Sequence, residues 1–142
     1  MRFFLPTLVV LAALVGCAGN EHPTVMRLVG SSPGIAEVTG WSLNGTRDGA
    51  QTRATATFEL AGERQLEVRL LLAYDPRPVL AEGTWKLDGE SDRVNAESVR
   101  FVGGQGEGPS VGGDYVLVDD RNLPRYRVQI PLTPIAVPAP RP

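Results

Sequence analysis

The sequence predicts an all-β protein: a single antiparallel β-sandwich or small barrel of about seven or eight strands. Three observations carry this. Apolar side chains alternate with polar ones at a period of two along several segments, the strand signature. Turn-forming Gly, Pro, Asn and Asp clusters recur between those segments. No stretch of ten or more residues holds a helical period between capping residues. The half-polar strands also argue against a parallel sheet, whose strands are buried on both faces.

Each segment can be read in order. Val25 to Val29 is a short apolar run, ended by the turn signal Ser31-Ser32-Pro33-Gly34. Glu37 to Leu43 contains Trp41 and is followed by Asn44-Gly45, a pair that favours hairpin turns. Thr52 to Leu60 alternates so that Ala54, Ala56, Phe58 and Leu60 share one face. Leu66, Val68, Leu70, Leu72 and Tyr74 share the inward face of the next segment, and the tight link Ala61–Arg64 makes the two a hairpin. Asp75-Pro76-Arg77-Pro78 interrupts the pattern. Val79 to Leu87 resumes it with Trp85 and Leu87 on one side, and Asp88 to Asp92 reads as a polar turn. Ser98 to Val102, then Tyr115 to Val118, then Tyr126, Val128, Ile130 and Leu132 supply the remaining inward faces, with Asp119 to Asn122 as a turn. Residues 131–142 hold five prolines and read as an extended tail, because proline lacks a ladder donor.

The 142 residues and a formal charge of −2 bound the function classes. One core fits this length and a second leaves little room. The basic residues are scattered singly, and only Lys86 is lysine. A nucleic-acid partner is not expected, since its electrostatic footprint is missing. A single cysteine, Cys17, excludes an internal disulfide and a cysteine-cluster metal site. The only histidine, His22, precedes the first strand. The domain therefore lacks the commonest general base and zinc ligand. No metal, no cofactor and no enzymatic activity are expected.

Residues 1–16 combine Arg2 with an apolar run from Phe3 to Val15 that is too short to span a bilayer comfortably. That length and those flanks fit a secretory signal. The run ends in Leu14-Val15-Gly16-Cys17, which resembles the lipobox of bacterial lipoproteins: an aliphatic residue, a small or β-branched one, Gly or Ala, then Cys. The resemblance covers the leader and the first mature residues only. It implies diacylglycerol on the Cys17 thiol, cleavage before it, and attachment to a membrane. Ala18 in place of Asp after the cysteine favours, by the same resemblance, the periplasmic face of the outer membrane. The expected organisation is a signal peptide over 1–16, a lipidated tether over 17–23, the β domain over 24–132 and a proline-rich tail over 133–142.

Other features divide between chemistry and plain structure. Gly103, Gly104, Gln105, Gly106, Glu107, Gly108, Pro109 and Ser110 form a glycine-rich connection. It lacks the Gly-Lys-Ser/Thr of a P-loop and has no following helix, so phosphate binding is not expected. Long connections often carry function, and this one is the candidate partner-contact loop. Asp88, Glu90 and Asp92 alternate, but Arg93 stands where a calcium loop needs its glycine. The expected function is a non-enzymatic envelope accessory or protein-binding module on a lipid anchor. The alternatives are a lipocalin-like or glycan-binding lipoprotein with an aromatic-lined cavity, and a hydrolase built on two carboxylates facing one cleft.

Overall fold

A computed structural model describes residues 22–28, 35–74, 77–102 and 109–135. These residues form β1 (Thr24–Arg27), β2 (Ile35–Ala36), β3 (Val38–Asp48), β4 (Gln51–Leu60), β5 (Arg64–Tyr74), β6 (Pro78–Leu87), β7 (Glu90–Val102), β8 (Ser110–Val118) and β9 (Pro124–Pro134). The expected all-β antiparallel architecture is what the chain adopts. The strands make one sheet in the order β2-β1-β9-β8-β7-β6-β5-β4-β3.

The sheet curls into a half-barrel whose two edges approach each other at one end, the closed end. Its two edges, β2 and β3, are one run of chain separated by Glu37 alone. β2 pairs with β1 through Val25↔Ala36, while β3 pairs with β4 from Val38↔Leu60 onward. The backbone N–H of Ala61 donates to the Glu37 carbonyl at 3.1 Å, tying this crossover to the β4–β5 turn. The turns β4–β5, β6–β7 and β8–β9 lie at this closed end. The β3–β4, β5–β6 and β7–β8 connections lie at the other, open end. There β9 continues from Ile130 to Pro134 beside β8, with no partner on its other flank among the described residues. That open flank suits Pro131 and Pro134, which have no N–H to offer.

The inward faces follow the period-two pattern. Ala54, Ala56, Phe58, Leu60, Leu66, Val68, Leu70, Leu72, Trp85 and Leu87 are all at most 4 % exposed. Each large apolar side chain buried in this way contributes about 1.5–3 kcal/mol. Tyr115, Leu117, Val128 and Ile130 meet them from β8 and β9.

Several local expectations need correcting. Asn44 and Gly45 do not turn the chain; they sit mid-strand opposite Thr55 and Ala54, and the hairpin turns at Gly49-Ala50. The glycine answers a close approach: a Cβ on Gly45 would lie 2.3 Å from Cδ1 of Ile135 and 2.8 Å from the Arg53 carbonyl. The polar turn read over Asp88–Asp92 contracts to Asp88-Gly89, both with positive φ (52° and 81°), so Glu90 and Asp92 already belong to β7. Positive φ at both central residues is the two-residue geometry that matches strand twist. Tyr74 has the inward parity of β5 but lies past the core, 57 % exposed.

Leu132 is also not inward. β9 pairs Ile130 with Gly113 and Thr133 with Val111, so one extra residue bulges between them. A bulge reverses which side chains face in. Leu132 is therefore 44 % exposed, while Ile135 is 1 % exposed and packs in the core. The sheet thus continues through Pro131 and Pro134, and Ile135 follows it, in a stretch read from sequence as an extended tail.

Candidate functional site

The open end offers two neighbouring concavities. Their origin lies in β6 and β7. These strands pair only near their shared turn, from Leu87↔Glu90 to Thr84↔Arg93. Beyond that, each keeps its other neighbour and lets the first one go. Ala81 is an extra residue on β6 against β5, since Leu71 pairs with Glu82 and Leu72 with Leu80. Glu97 is an extra residue on β7 against β8, since Ala96 pairs with Tyr115 and Ser98 with Asp114. Bulges bend and twist the strand that carries them, and two on facing strands split the ladder.

The split holds a cleft of about 600 Å³ between Pro78–Glu82 and Val94–Val99. The facing backbone edges of Val79–Gly83 and Val94–Val99 carry no ladder partner across it. Glu82 and Glu97 both line it and both are exposed. A hydrolytic carboxylate pair needs one acid kept protonated by an apolar site. Glu97 is instead ion-paired with Arg127 of β9.

The mouth of the barrel forms the second concavity, about 580 Å³, lined by Arg47, Ala50, Thr52, Tyr74, Phe101 and Val102. Tyr74 and Phe101 reach toward each other from β5 and β7, with ring centroids 6.5 Å apart and planes tilted by 44°. Thr52, 1 % exposed, lies on the floor. Below it the interior is filled by side chains rather than empty: Phe58, Leu66, Leu72 and Tyr115 are fully buried. The Tyr115 hydroxyl donates to the Gly112 carbonyl at 2.7 Å. Burial, and then the charge of Asp114, push its ionisation well above the ordinary phenol range.

The acidic residues singled out from sequence are engaged structurally. Asp88 receives Nε and Nη2 of Arg64 at 3.0 and 2.7 Å, and this contact raises the Arg64 guanidinium further above its usual value. Glu90 pairs with Arg125 at 3.1 Å, and Asp92 accepts the Arg93 N–H. Asp119 accepts the N–H groups of Leu123 and Arg121, which hold its carboxyl below the usual range. Among the described residues, no group of three or more His, Cys, Asp or Glu could hold a metal ion. His22 is exposed.

Cys17 and Gly103–Gly108 lie outside the described residues. Of the glycine-rich connection, Pro109 is buried and Ser110 opens β8. The Pro109 carbonyl accepts the Ile135 N–H at 2.9 Å, so this end of the connection is anchored to the end of β9.

One feature of the outer surface had no signal in the sequence. Residues of β7 reach over β8 to β9 and its preceding turn: Glu97 to Arg127, Asn95 to Asn122 and Glu90 to Arg125. β8 is thereby covered on both faces, with Val116 9 % and Val118 1 % exposed although they alternate with the core residues. Sequence periodicity identifies which residues face out, but not that polar partners two strands apart will meet above them.

Comparison with protein-family models, with curated proteins and with solved structures finds no significant match. The geometry defines the chain only at the level of an all-β protein with one curled, half-barrel antiparallel sheet.

Proposed function

We propose that the protein is a membrane-anchored bacterial lipoprotein whose β-barrel acts as a non-enzymatic accessory or protein-binding module of the cell envelope, held at the periplasmic face of the outer membrane. The observation that carries this reading is Leu14-Val15-Gly16-Cys17, in which the only thiol of the chain falls where lipidation needs it. A di- or triacylated cysteine gives stable membrane attachment, whereas one chain gives marginal binding. The split between β6 and β7 supports a protein partner, because free strand edges accept an added strand through main-chain hydrogen bonds.

The test is maturation. Cys17→Ser or globomycin should leave the precursor uncleaved, and the wild-type N-terminal peptide should carry the mass of a diacylglyceryl cysteine. A mature chain that begins elsewhere, or a Cys17 with free sulfur in membrane fractions, overturns the reading.

A second reading, a carrier of a small amphiphile, is favoured by the aromatic-edged concavity at the mouth, whose volume exceeds the lower bound of about 300 Å³ for ligand pockets. Native mass spectrometry of protein released in mild detergent should then show a bound amphiphile that Phe101→Asp abolishes.

A further inference from the structure

The split between β6 and β7 differs from the other unpaired edges of the sheet. β2 is only 2 residues long. The free flank of β9 near the open end carries Pro131 and Pro134. Short edges and prolines both discourage pairing. β3 leaves one flank free along its 11 residues, but that is a single edge. The split instead sets two free edges face to face, Val79–Gly83 and Val94–Val99, because Ala81 bulges against β5 and Glu97 against β8. Unpaired strand edges are templates for another chain. β6 and β7 are antiparallel, so a chain laid between them runs antiparallel to one edge and parallel to the other. Both pairings supply main-chain hydrogen bonds.

The side chains of the split add a chemical preference. Its floor is apolar: Leu80 and Val99 line it and pack against the core while staying half-buried, beside the buried Val94. Its margin is polar, with Glu82, Asn95 and Glu97 exposed, and its lining holds no basic side chain. Glu97 is taken by Arg127 and Asn95 by Asn122. Arg69 of the adjoining strand β5 is held by Glu67. Glu82 has no hydrogen-bond or ion-pair partner among the described residues. A strand sends alternate side chains to opposite faces. One that enters the split therefore sends one set to the apolar floor and the other outward past Glu82.

We propose that the split is a strand-acceptor site for an extended segment of a partner protein in which aliphatic and basic side chains alternate. Its main chain bonds to both edges, an aliphatic side chain rests on Leu80 and Val99, and a basic one lies beside Glu82. The proposal rests on the protein-binding reading above and gives that partner its chemistry. Such addition draws affinity from main-chain bonds and specificity from alternate side chains.

Hydrogen exchange of the full-length mature protein in mild detergent tests this, read by mass spectrometry of peptic fragments. The probe is the synthetic peptide acetyl-Val-Lys-Val-Lys-Val-amide at millimolar concentration. Amides within 79–83 and 94–99 should exchange at least about fivefold more slowly with the peptide present. The same peptide N-methylated at its valines should give no slowing, because its main-chain donors are gone. Glu82→Gln should weaken the peptide by about threefold, the scale of one exposed ion pair. No slowing in these segments overturns the proposal. So does equal slowing by the N-methylated peptide, or slowing confined to the β3 edge. The N-terminal mass is read on the same sample. Absence of slowing on a chain with lipidated Cys17 overturns the acceptor site and leaves the anchor standing. Slowing on a chain with free Cys17 sulfur sustains the acceptor site and overturns the anchor.

Discussion

The indole N–H of Trp85 donates to the carbonyl of Val118 at 2.8 Å, inside the closed end of the barrel. Trp85 stands on β6 and Val118 ends β8, so the bond crosses the interior past β7. The same indole meets Tyr126 of β9 edge-on, at 6.0 Å between centroids. One side chain, 3 % exposed, therefore ties three strands together just above the turns. Buried indole N–H groups cost free energy when unpaired, and here the partner is a main-chain acceptor. Trp85→Phe should lower unfolding stability by about 2 kcal/mol, from lost volume and an unpaired carbonyl. Urea denaturation at neutral pH checks this; an unchanged midpoint would show that the strut carries no load.

Gly45 and Ile135 are coupled by space. The pro-Cβ position on Gly45 falls 2.3 Å from Ile135 and 2.8 Å from the Arg53 carbonyl. Gly45→Ala should destabilise by about 1–3 kcal/mol through overpacking. Ile135→Ala alone should cost about 2–4 kcal/mol as a core truncation. The double variant should cost less than the sum, because the alanine at 135 relieves part of the clash. Strict additivity in a double-mutant cycle would refute the contact.

These two residues also explain what could be read in advance. The β4–β5 hairpin is legible because Thr52–Leu60 and Leu66–Leu72 keep an unbroken period of two between local turns. Asn44-Gly45 misleads because its glycine answers a residue ninety positions away, and no local rule carries that. The bulges at Ala81, Glu97 and before Thr133 are single-residue slips of period, invisible in a window that scores alternation. They produce the β6–β7 split and move Ile135 into the core in place of Leu132. The pattern ending at Cys17 is a local one that lies outside the described residues, so the fold says nothing of it. The mouth of the half-barrel was not legible, since it is made of strand ends that only the sheet order brings together.

Tyr115 gives the protein an alkaline limit. Its phenol ionises above the ordinary value near 10 because burial disfavours the phenolate. A folded value raised above the unfolded one contributes stability that is complete below about pH 10 and lost as pH rises beyond it. Tyr115→Phe should cost about 1 kcal/mol at pH 7, the bond to the Gly112 carbonyl. Above pH 10 its stability should fall less steeply, by up to about 1.4 kcal/mol per pH unit. Parallel curves for the two proteins from pH 9 to 11 would refute the assignment.

Asp119 sets an acid-side counterpart at the surface. Its carboxylate caps the β8–β9 turn by accepting the N–H of Leu123 and of Arg121, both at 2.9 Å. These bonds lower its folded value, Leu123 first. The stability it contributes is present above the unfolded value near 4 and is lost as pH falls through the folded one. Asp119→Ala should lower the Tm at pH 7 and flatten its decline below about pH 4. Thermal melts across pH 2–7 read both effects; an unchanged acid slope would assign the loss to other carboxylates.

Arg127 separates charge from coverage. Its guanidinium meets Glu97 across β8, yet Nε is buried without a hydrogen-bond partner. Glu97 is 43 % exposed, so the ion pair is screened and worth about 0–1 kcal/mol. The stem stands opposite Val116, which is only 9 % exposed on the outer face. Long basic side chains cover apolar surface with their methylenes. Arg127→Met keeps the stem, removes the unpaired Nε and should change stability by less than about 1 kcal/mol. Arg127→Ala uncovers Val116 and should cost about 1–2 kcal/mol. If methionine proves as damaging as alanine, the ion pair rather than the stem holds β7 and β9 over β8, and Glu97→Gln should then reproduce the loss.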